Sequence, residues 1–499
     1  MALWKSVPFA CILLPLFGAA VCSVLPRRAA RAWAMGLIAA VAGLSCFFLA
    51  KMTAYDAAYP YRMGHYDAPL GNMLRAGPLE AVLGVLFSLL TLVCALGGGS
   101  RIREDLTEGR QGLYHTLLLL MTAALMAQVY TDDLFTAYVF VEIMTIAGCG
   151  LIAVRSGPGR SLVAAVRYMI MNLIGSALFL LGIILLYDLT GHLLMSSIHE
   201  ALQAQAGTGN FDIPLTVVVG LLCAGLAAKS ALFPFHAWVP DAYATATPAS
   251  AALLASLVSK SYIVVLLKVL FRVIGPAYIE ASGVDNILFL FGVIGMLAGS
   301  VVAIRVPDVK RMVAWSSVAQ IGYIYMALGL MTGAGAAAAV FHIIAHAAAK
   351  SVLFLSVDKL CEASEGHEFI GKLRGAGYRS PLAGAAFTVG ALSLVGIPLL
   401  GGFTTKLNLA RAVLDLGGAH AWAGLICLTL STLLNVLYML RTVLVLWSHP
   451  DRAPEAPQSS RAGGALAVSL GALMAANFLI FFFAQPLMDA INRGFALFS

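Results

Sequence analysis

The sequence predicts an all-α, polytopic membrane protein, because it is rich in apolar residues, poor in charged ones and contains long apolar runs that recur along the chain. Of its 499 residues, 61% are hydrophobic and 11% are charged, whereas soluble proteins carry about 25% charged residues. Too few polar residues are present to cover soluble domains. The composition therefore excludes a soluble enzyme, a disordered chain and a nucleic-acid-binding protein.

The apolar runs predict the individual helices. About 20 apolar residues cross the hydrocarbon core of a membrane as a helix, and the period-2 alternation of a membrane β-barrel is missing. We therefore expect a helical bundle of about fourteen transmembrane helices, two of them broken. The predicted spans are 6–25, 31–50, 79–97, 112–131, 133–154, 161–187, 213–241, 247–271, 285–304, 311–332, 336–358, 382–414, 419–447 and 463–484.

The basic residues predict how this bundle is oriented. Nineteen lysines and arginines lie in or beside the connections between spans 1–2, 3–4, 5–6, 9–10, 11–12 and 13–14, and seven lie on the opposite side. Cytoplasmic loops carry an excess of lysine and arginine. We therefore expect both termini on the non-cytoplasmic side of a bacterial or archaeal cytoplasmic membrane, and we attribute the net charge of +7 to topology.

Two apolar segments are interpreted separately. Residues 193–205 combine His199 and Glu200 with leucines at helical spacing, which predicts an amphipathic helix at the membrane surface rather than a span. The first apolar run is followed by no clear cleavage site, so we expect a retained helix rather than a signal peptide.

The sequence contains no motif for a metal ion, a cofactor or a nucleotide. Its eight cysteines are scattered and none forms a C-x-x-C pair, the spacing typical of metal clusters. No strand is followed by G-x-G-x-x-G, and no Walker A sequence is present. We expect no metal, no cofactor and no catalytic residue in this chain.

Charged residues inside the spans are the main functional candidates, because each costs a few kcal/mol at the bilayer centre. Glu142 stands alone in its span, in FTAYVFVEIMTIAGCG. It is predicted to be a proton-relay carboxylate paired with a lysine, the alternative being a static salt bridge that fixes helix packing. The lysines inside spans are Lys229, Lys260, Lys268, Lys350 and Lys406.

Lys229 precedes a predicted helix break in GLAAKSALFPFHAWVPDAY. Pro234 and Pro240 remove backbone donors there, and broken helices mark the transport sites of many transporters. Because burial and a nearby carboxylate act oppositely on an amine, Lys229 is predicted to be a protonation switch, with a snorkelling lysine as the alternative. His236 and Asp241 flank the break and either shape access to it or cap its half-helices.

Two more lysines lie in the next span. Lys260 has no acidic residue nearby in sequence, so we expect its partner to be another helix or water. Lys268 lies two turns further on, near Arg272, and is predicted to snorkel to the membrane edge.

His342, His346 and Lys350 recur every four residues in FHIIAHAAAKSVLF, which places them on nearly one helix face. Histidine titrates near neutral pH, so the three side chains are predicted to form a proton wire. Polar packing between helices is one alternative. A metal site is the other, although no third ligand lies nearby.

Lys406 follows a second predicted break in SLVGIPLLGGFTTKLN, where Gly396 and Pro398 favour an unwound segment. The chain thus contains two broken spans, each with one buried lysine, at corresponding positions of two halves. This pattern is typical of inverted-repeat transporters.

The run KSALFPFHAWVPDAYATATPASAALLASLVSK, at residues 229–260, closely resembles the signature of the antiporter-like subunits of respiratory complex I and of Mrp cation/proton antiporters. The same family supplies the membrane arms of energy-converting hydrogenases. The span around Glu142 and the runs RMVAWSSVAQIGYI, HIIAHAAAKSVLFL and GIPLLGGFTTK also resemble it, so the resemblance extends over roughly residues 80–447. It is strongest to NuoN-like subunits and the D-type Mrp subunit.

The resemblance implies that residues 111–273 and 284–447, which hold spans 4–8 and 9–13, form two inverted five-helix repeats. Residues 1–110 then hold the first three spans, and residues 448–499 a loop and the last span. It also implies that Glu142 pairs with Lys229, that Lys260 and the two histidines link two half-channels, and that Lys406 is the exit-side proton carrier.

We therefore expect a proton-translocating subunit of a multi-subunit membrane complex. It is driven by electron transfer in a complex I-like or hydrogenase-like assembly or, as the alternative, by ion gradients in an Mrp-type Na+/H+ antiporter. The expected partners are other membrane subunits, the lipid bilayer, H+ and, in the alternative, Na+. A purely structural subunit is disfavoured, because its buried charges would cost free energy without a role.

Overall fold

The structure is a computed structural model that describes residues 3–66, 71–155, 159–205, 212–449 and 462–498. Most of these residues are helical. The first half of the chain contains α1 (Val7–Val24), α2 (Arg27–Tyr55), α3 (Pro78–Gly97), α4 (Gly99–Asp105), α5 (Glu108–Tyr130), α6 (Leu134–Ala153), α7 (Arg160–Thr190), α8 (Met195–Gln205), α9 (Asp212–Ser230), α10 (Val239–Thr245) and α11 (Pro248–Leu253).

The second half begins inside a continuous helical segment, Pro248–Ile274, in which two π-helical turns, Leu254–Val258 and Val269–Ile274, flank α12. Its helices are α12 (Ser259–Lys268), α13 (Pro276–Ser282), α14 (Val284–Arg305), α15 (Val309–Leu328), α16 (Gly333–Glu362), α17 (Ala376–Arg379), α18 (Pro381–Val395), α19 (Gly401–Leu416), α20 (Gly418–Leu446), α21 (Gly464–Phe482) and α22 (Ala484–Ala496).

Twelve helices among the described residues are long and apolar enough to cross a membrane. This confirms a polytopic helical membrane protein. Helix α15 and the α18–α19 pair overlap predicted spans without belonging to the twelve. Helix α15 contains basic and polar residues, and the α18–α19 pair is interrupted. The count of fourteen spans therefore stays a prediction, and so do the inverted repeats.

The two central elements are Pro248–Ile274 and α16, whose apolar windows are completely buried by other helices. A helix with no lipid-facing side can carry polar residues on any face, provided that each finds a partner. These two elements contain Lys260, His342, His346 and Lys350. The centre of the bundle is therefore where the sequence places most of its unusual charges.

The outer helices present apolar side chains outwards. Helix α7 is an example, since it exposes large aliphatic residues along its length, among them Leu162, Val166, Ile170, Leu173, Leu181 and Ile184. Such a continuous exposed apolar surface is expected where the surrounding solvent is lipid. The inside of this protein is thus more polar in places than its outside.

Three short elements complete the fold. Helix α8 buries Met195, Ile198 and Leu202 on one face, which confirms the predicted amphipathic character of residues 193–205. An antiparallel pair, β1 (Tyr59–Arg62) and β2 (Met73–Ala76), was not predicted, and neither was α22. The two strands and α22 are shorter than the 20-residue windows that predicted the spans, so a search for membrane-length runs does not detect them.

Helices α14 and α15 approach each other closely through glycine residues. A Cβ atom on Gly299 would lie 2.6 Å from the backbone nitrogen of Ala319, and one on Gly322 would lie 2.5 Å from that of Met296. Side chains at these positions would push the two backbones apart. This contact holds α15, which lines the candidate site, against the outer helix α14.

We predict that Gly299→Ala lowers the thermal midpoint of the protein. A helical Gly→Ala change ordinarily stabilises by about 1 kcal/mol, but the clash with Ala319 is expected to cost about 1–3 kcal/mol. Gly471→Ala in α21 is the matched control, because nothing lies within 4 Å of its added Cβ. Equal midpoints for the two variants would contradict the prediction.

Candidate functional site

Glu142 on α6 and Lys229 on α9 form an ion pair, with 3.1 Å between Oε1 and Nζ. The Lys229 side chain is completely buried, whereas that of Glu142 is 23% exposed. Ser176 on α7 donates its hydroxyl to the same carboxylate oxygen. The pair thus joins three helices, with its carboxylate near the outer face and its ammonium inside the bundle.

The ammonium of Lys229 also binds a threonine that was not among the candidates from the sequence. Thr145, one turn after Glu142, accepts a hydrogen bond from Lys229 Nζ at 2.8 Å. Its hydroxyl lies 3.4 Å from that of Tyr262, two residues from Lys260 on α12. Spacing along α6 could have revealed Thr145, which shares a helix face with Glu142. Tyr262 could not have been found without the fold.

The first break begins directly after this ion pair. Helix α9 ends one residue after Lys229, and Ala231 follows with a φ of +68°. Pro234 lies in the break, before the 3₁₀ turn Phe235–Trp238. Pro240 lies in the first turn of α10, where a missing N–H removes no helical hydrogen bond. Pro234 therefore marks the break, and Pro240 begins the next helix.

His236 and Asp241 lie beyond this break. The His236 ring stacks on Phe233, with 5.2 Å between ring centres. Asp241 accepts from Arg311 of α15 at 2.9 Å and also pairs with Arg167 of α7. Asp241, in the first turn of α10, thus joins this helix to two neighbouring helices.

Lys260 has its partner within its own helix. It is fully buried, and its Nζ donates to the carbonyl oxygen of Ala255. Ala255 lies in the π-helical turn Leu254–Val258, where the altered hydrogen-bond pattern leaves room for a side chain to reach a carbonyl. Among the described residues, the acceptor of this ammonium is thus its own backbone rather than another helix, and water, the other expected partner, stays a prediction.

The prediction that Lys268 snorkels was wrong. This residue is 1% exposed. Its Nζ donates to the carbonyl oxygens of Gln128, Val129 and Thr131, at 3.0, 2.6 and 2.8 Å. These carbonyls lie at or just beyond the end of α5, where the last turn lacks amide partners and carries partial negative charge. That helix end attracts the ammonium inwards.

Arg272, one turn after Lys268, is buried in the same region. Its Nη1 lies 3.3 Å from Asp132 and 3.9 Å from Glu80. All three side chains are at most 5% exposed. Lys268 and Arg272, the two cations at the end of the segment Pro248–Ile274, are thus both held inside the protein.

The two histidines of α16 stack on each other. Their ring centres lie 5.6 Å apart, and the rings are within 5° of parallel. Both residues are at most 3% exposed, and none of the four ring nitrogens has a hydrogen-bond partner in the described part of the chain. Buried nitrogens of this kind call for water.

Lys350 lies one turn beyond His346, with its ammonium directed at α15. Its Nζ donates to the carbonyl of Val313 at 2.7 Å and to the hydroxyl of Ser316. The side chain is fully buried. Lys350 therefore shares a helix with the histidines but is held by a neighbouring helix.

The second break separates α18 from α19. Gly396 and Leu399 both have positive φ, of +89° and +76°, and Pro398 lies between them. Lys406 reaches back from α19, and its Nζ donates to the carbonyl of Val395 at 2.6 Å. A Cβ on Gly396 would lie 2.9 Å from the Lys406 side chain. The unwound segment thus supplies both the bend and the acceptor.

His342, His346 and Lys406 line one small cavity, together with Gln320 and Ser393. It has room for about one water molecule. The structure thus brings the histidines and the second-break lysine together. Glu142 and Lys229 form a separate pair in the other half of the chain.

A further charge cluster, absent from the sequence analysis, lies where α4, α15 and α16 meet. Asp358 is 4% exposed. It accepts from Arg101 at 2.7 Å and from Lys310 at 3.1 Å. These residues lie near the ends of three separate elements, so only the fold brings them together.

No group of three or more histidine, cysteine, aspartate or glutamate side chains within the described ranges could hold a metal ion. The candidate site therefore consists of a carboxylate, imidazoles, amines and hydroxyls. Groups of these types accept and donate protons.

A family model described as "NADH:quinone oxidoreductase/Mrp antiporter, TM" matches residues 131–434. Among curated relatives, the NADH-quinone oxidoreductase subunit N of Desulforudis audaxviator is 32% identical over 441 residues, covering 88% of this chain and 85% of the relative. A Staphylococcus saprophyticus protein named as antiporter subunit mnhD2 is 28% identical over 455 residues, covering 89% and 87%.

Two solved structures have a similar fold. A chain of the membrane-bound sulfane sulfur reductase, an archaeal respiratory membrane complex, has a TM-score of 0.87 and 25% identity, covering 99% of this chain and 98% of that one. A chain of the Mrp complex from Dietzia sp. DQ12-45-1b has a TM-score of 0.87 and 23% identity, covering 100% and 98%. The second likeness concerns the fold alone.

We predict that Lys268→Met lowers the thermal midpoint of the complex, because three carbonyls lose their shared donor. Each buried group left unsatisfied costs about 1–3 kcal/mol. Lys51→Met is the control, since Lys51 is exposed on α2. A midpoint for Lys268→Met as high as that of the control would show that these carbonyls need no cation.

Proposed function

The chain belongs to the NADH:quinone oxidoreductase/Mrp antiporter membrane family, and from that premise we propose that it moves protons across the membrane as one subunit of a multi-subunit complex. The observation that carries this proposal is the Glu142–Lys229 ion pair directly before a helix break. A carboxylate and an amine in contact, beside backbone that can rearrange, form a unit whose proton distribution responds to its surroundings.

The pair works as a switch for a physical reason. Burial disfavours the charged form of an amine, and a carboxylate in contact with it favours that form. If Glu142 gains a proton or moves away, the ammonium of Lys229 loses its counter-ion and is favoured to release a proton. Thr145 and Tyr262 then connect this position with α12, which carries Lys260.

We propose that the route continues from Lys260 to His342 and His346 and leaves by Lys406, with Lys350 as a buried amine that adjoins the path. The cavity shared by the histidines and Lys406 supports this last step. One water molecule between an imidazole and an amine is enough to pass a proton. Where no direct contact is present, as between Lys229 and Lys260, bound water supplies the connection.

The proposal includes the organisation of the chain in the membrane. Residues 111–273 and 284–447 form inverted five-helix repeats, each with one broken helix, among fourteen spans. Residues 1–110 and 448–499 flank them, and both termini lie on the non-cytoplasmic side. The loop charges support this orientation. A tag at either terminus should be protected from added protease in inside-out membrane vesicles.

The driving force is proposed to be electron transfer in partner subunits, since NADH-quinone oxidoreductase subunit N is among the relatives at 32% identity. The second candidate is Na+/H+ exchange driven by ion gradients in an Mrp-type complex, which the similarity to antiporter subunit mnhD2 favours. In both cases this chain contributes a proton path and other subunits supply the energy.

We predict that Glu142→Gln and Lys229→Met each reduce proton transport by at least about tenfold, because each removes a partner that controls the other's charge; tenfold corresponds to about 1.4 kcal/mol. The measurement is dye-detected acidification of inside-out vesicles that contain the intact complex. Glu200→Gln is the control, since Glu200 is exposed on α8. Undiminished transport by assembled complexes carrying either variant would refute the proposal.

The two driving forces predict opposite results in the same vesicles. If electron transfer drives transport, NADH or another reductant of the host membrane acidifies the vesicle interior, and Lys229→Met abolishes this signal. If ion gradients drive it, a Na+ pulse without reductant dissipates an imposed pH difference, and the same variant abolishes that response. We expect the first outcome.

A further inference from the structure

Tyr323 on α15 contacts two proton-carrying groups of the second half of the chain. It is fully buried. Its ring centre lies 5.6 Å from that of His342, at an interplanar angle of 36°. The Nζ atom of Lys406 lies 5.9 Å from the same ring centre. One aromatic ring therefore adjoins both the imidazole and the amine between which we propose a transfer.

Helix α20 fixes the orientation of this ring. The Tyr323 hydroxyl donates to Ser431 Oγ at 2.9 Å and accepts from Asn435 Nδ2 at 3.3 Å. Ser431 and Asn435 are both fully buried. Two hydrogen bonds from one neighbouring helix hold the ring more tightly than apolar packing alone.

The direction of these hydrogen bonds leads away from the proton path. Tyr438 donates to the amide oxygen of Asn435, whose nitrogen donates to Tyr323. The hydroxyl of Tyr323 donates to Ser431, which in turn donates to the Met296 carbonyl at 3.2 Å. The hydroxyl hydrogens of Tyr438, Tyr323 and Ser431 are all used in this series, and the amide group of Asn435 does not readily pass on a proton. The hydroxyl therefore anchors the ring and is not a relay.

Lys406 depends on this ring because its other contacts are few. Among the described residues, its ammonium has one hydrogen bond, to the carbonyl oxygen of Val395, and no ion pair. A cation near an aromatic face is attracted by the negative charge of that face, more strongly where water is scarce. The ring thus provides the second source of stabilisation for a charged Lys406.

We propose that Tyr323 is a positioning residue for proton transfer between His342 and Lys406, with its aromatic face holding the Lys406 ammonium and α20 holding the ring. This inference rests on the proposed function and deepens it. It makes α20 part of the transport machinery through the hydrogen bonds of Ser431 and Asn435 to the ring.

The test compares three changes at position 323 in the intact complex. Tyr323→Phe keeps the ring and loses both hydrogen bonds of the hydroxyl. Because the aromatic face beside Lys406 remains, we expect transport within about fivefold of wild type. Tyr323→Leu removes the ring, and we expect transport at least about tenfold below that of the Phe variant. Tyr130→Leu, which removes another fully buried tyrosine ring, is the control for assembly and stability.

The third change keeps the shape of the ring and alters its charge distribution. A pentafluorinated phenylalanine at position 323 packs like phenylalanine but lacks the negative face that attracts a cation. We expect slower transport than with plain phenylalanine at equal assembly. A purely structural ring would not distinguish these two side chains, so this comparison decides the matter even if Tyr323→Leu fails to assemble.

Two results would overturn the inference. One is equal transport by the fluorinated and plain phenylalanine variants. The other is complete loss of transport in Tyr323→Phe while Ser431→Ala retains it, which would make the hydroxyl a relay. A wild-type complex that moves no protons under either driving force would instead refute the proposed function.

Discussion

A lysine inside a membrane protein needs an acceptor for its ammonium, and this requirement connects most of the unusual features of the structure. Four of the five lysines predicted inside spans donate to backbone carbonyls, namely Lys260, Lys268, Lys350 and Lys406. An intact helix has few spare carbonyls, because each already accepts from the amide four residues on. Spare ones occur at ends, π-turns and breaks. Three of these lysines use such an interruption, so the helix defects and the buried lysines are parts of one arrangement.

Lys229 differs from the other four because a carboxylate compensates its charge. The energy of an ion pair depends on the distance between its charges and on the local dielectric constant, so a small movement of α6 against α9 changes the balance at Lys229. A carbonyl dipole is a weaker and more local partner. The four remaining lysines therefore depend on backbone carbonyl dipoles, whereas Lys229 depends on a full opposite charge on another helix. This difference suits a proton path in which the Lys229 end responds to a partner and the other lysines transmit the effect.

The sequence was sufficient for the fold class, because long apolar runs follow from one-dimensional spacing. The same runs pointed to the charges inside them as candidates, whose roles stay predictions. The sequence also predicted where the two helix breaks lie, since proline and glycine disrupt a helix at their own positions. It failed at Lys268, where the attraction comes from the end of α5, more than a hundred residues away in sequence. It did not reveal Tyr323 or the Asp358 cluster for the same reason. Contacts between helices that are distant in sequence leave no periodic signal in a single chain.

In the proposed path, the stacked histidines restrict transport through the centre to one proton at a time. With ring centres 5.6 Å apart, two imidazolium charges would repel by about 3 kcal/mol at an effective dielectric constant of about 20. That energy disfavours the doubly protonated pair by about a hundredfold, and no carboxylate among the cavity-lining residues offsets it. In the proposed path, a proton that reaches one histidine therefore promotes release from the other, towards Lys406. Two imidazoles held in parallel, with no hydrogen-bond partner for any ring nitrogen among the described residues, would be a poor choice for packing alone. They suit a pair that holds one proton at a time and releases it towards Lys406, whose charged form the Tyr323 ring stabilises.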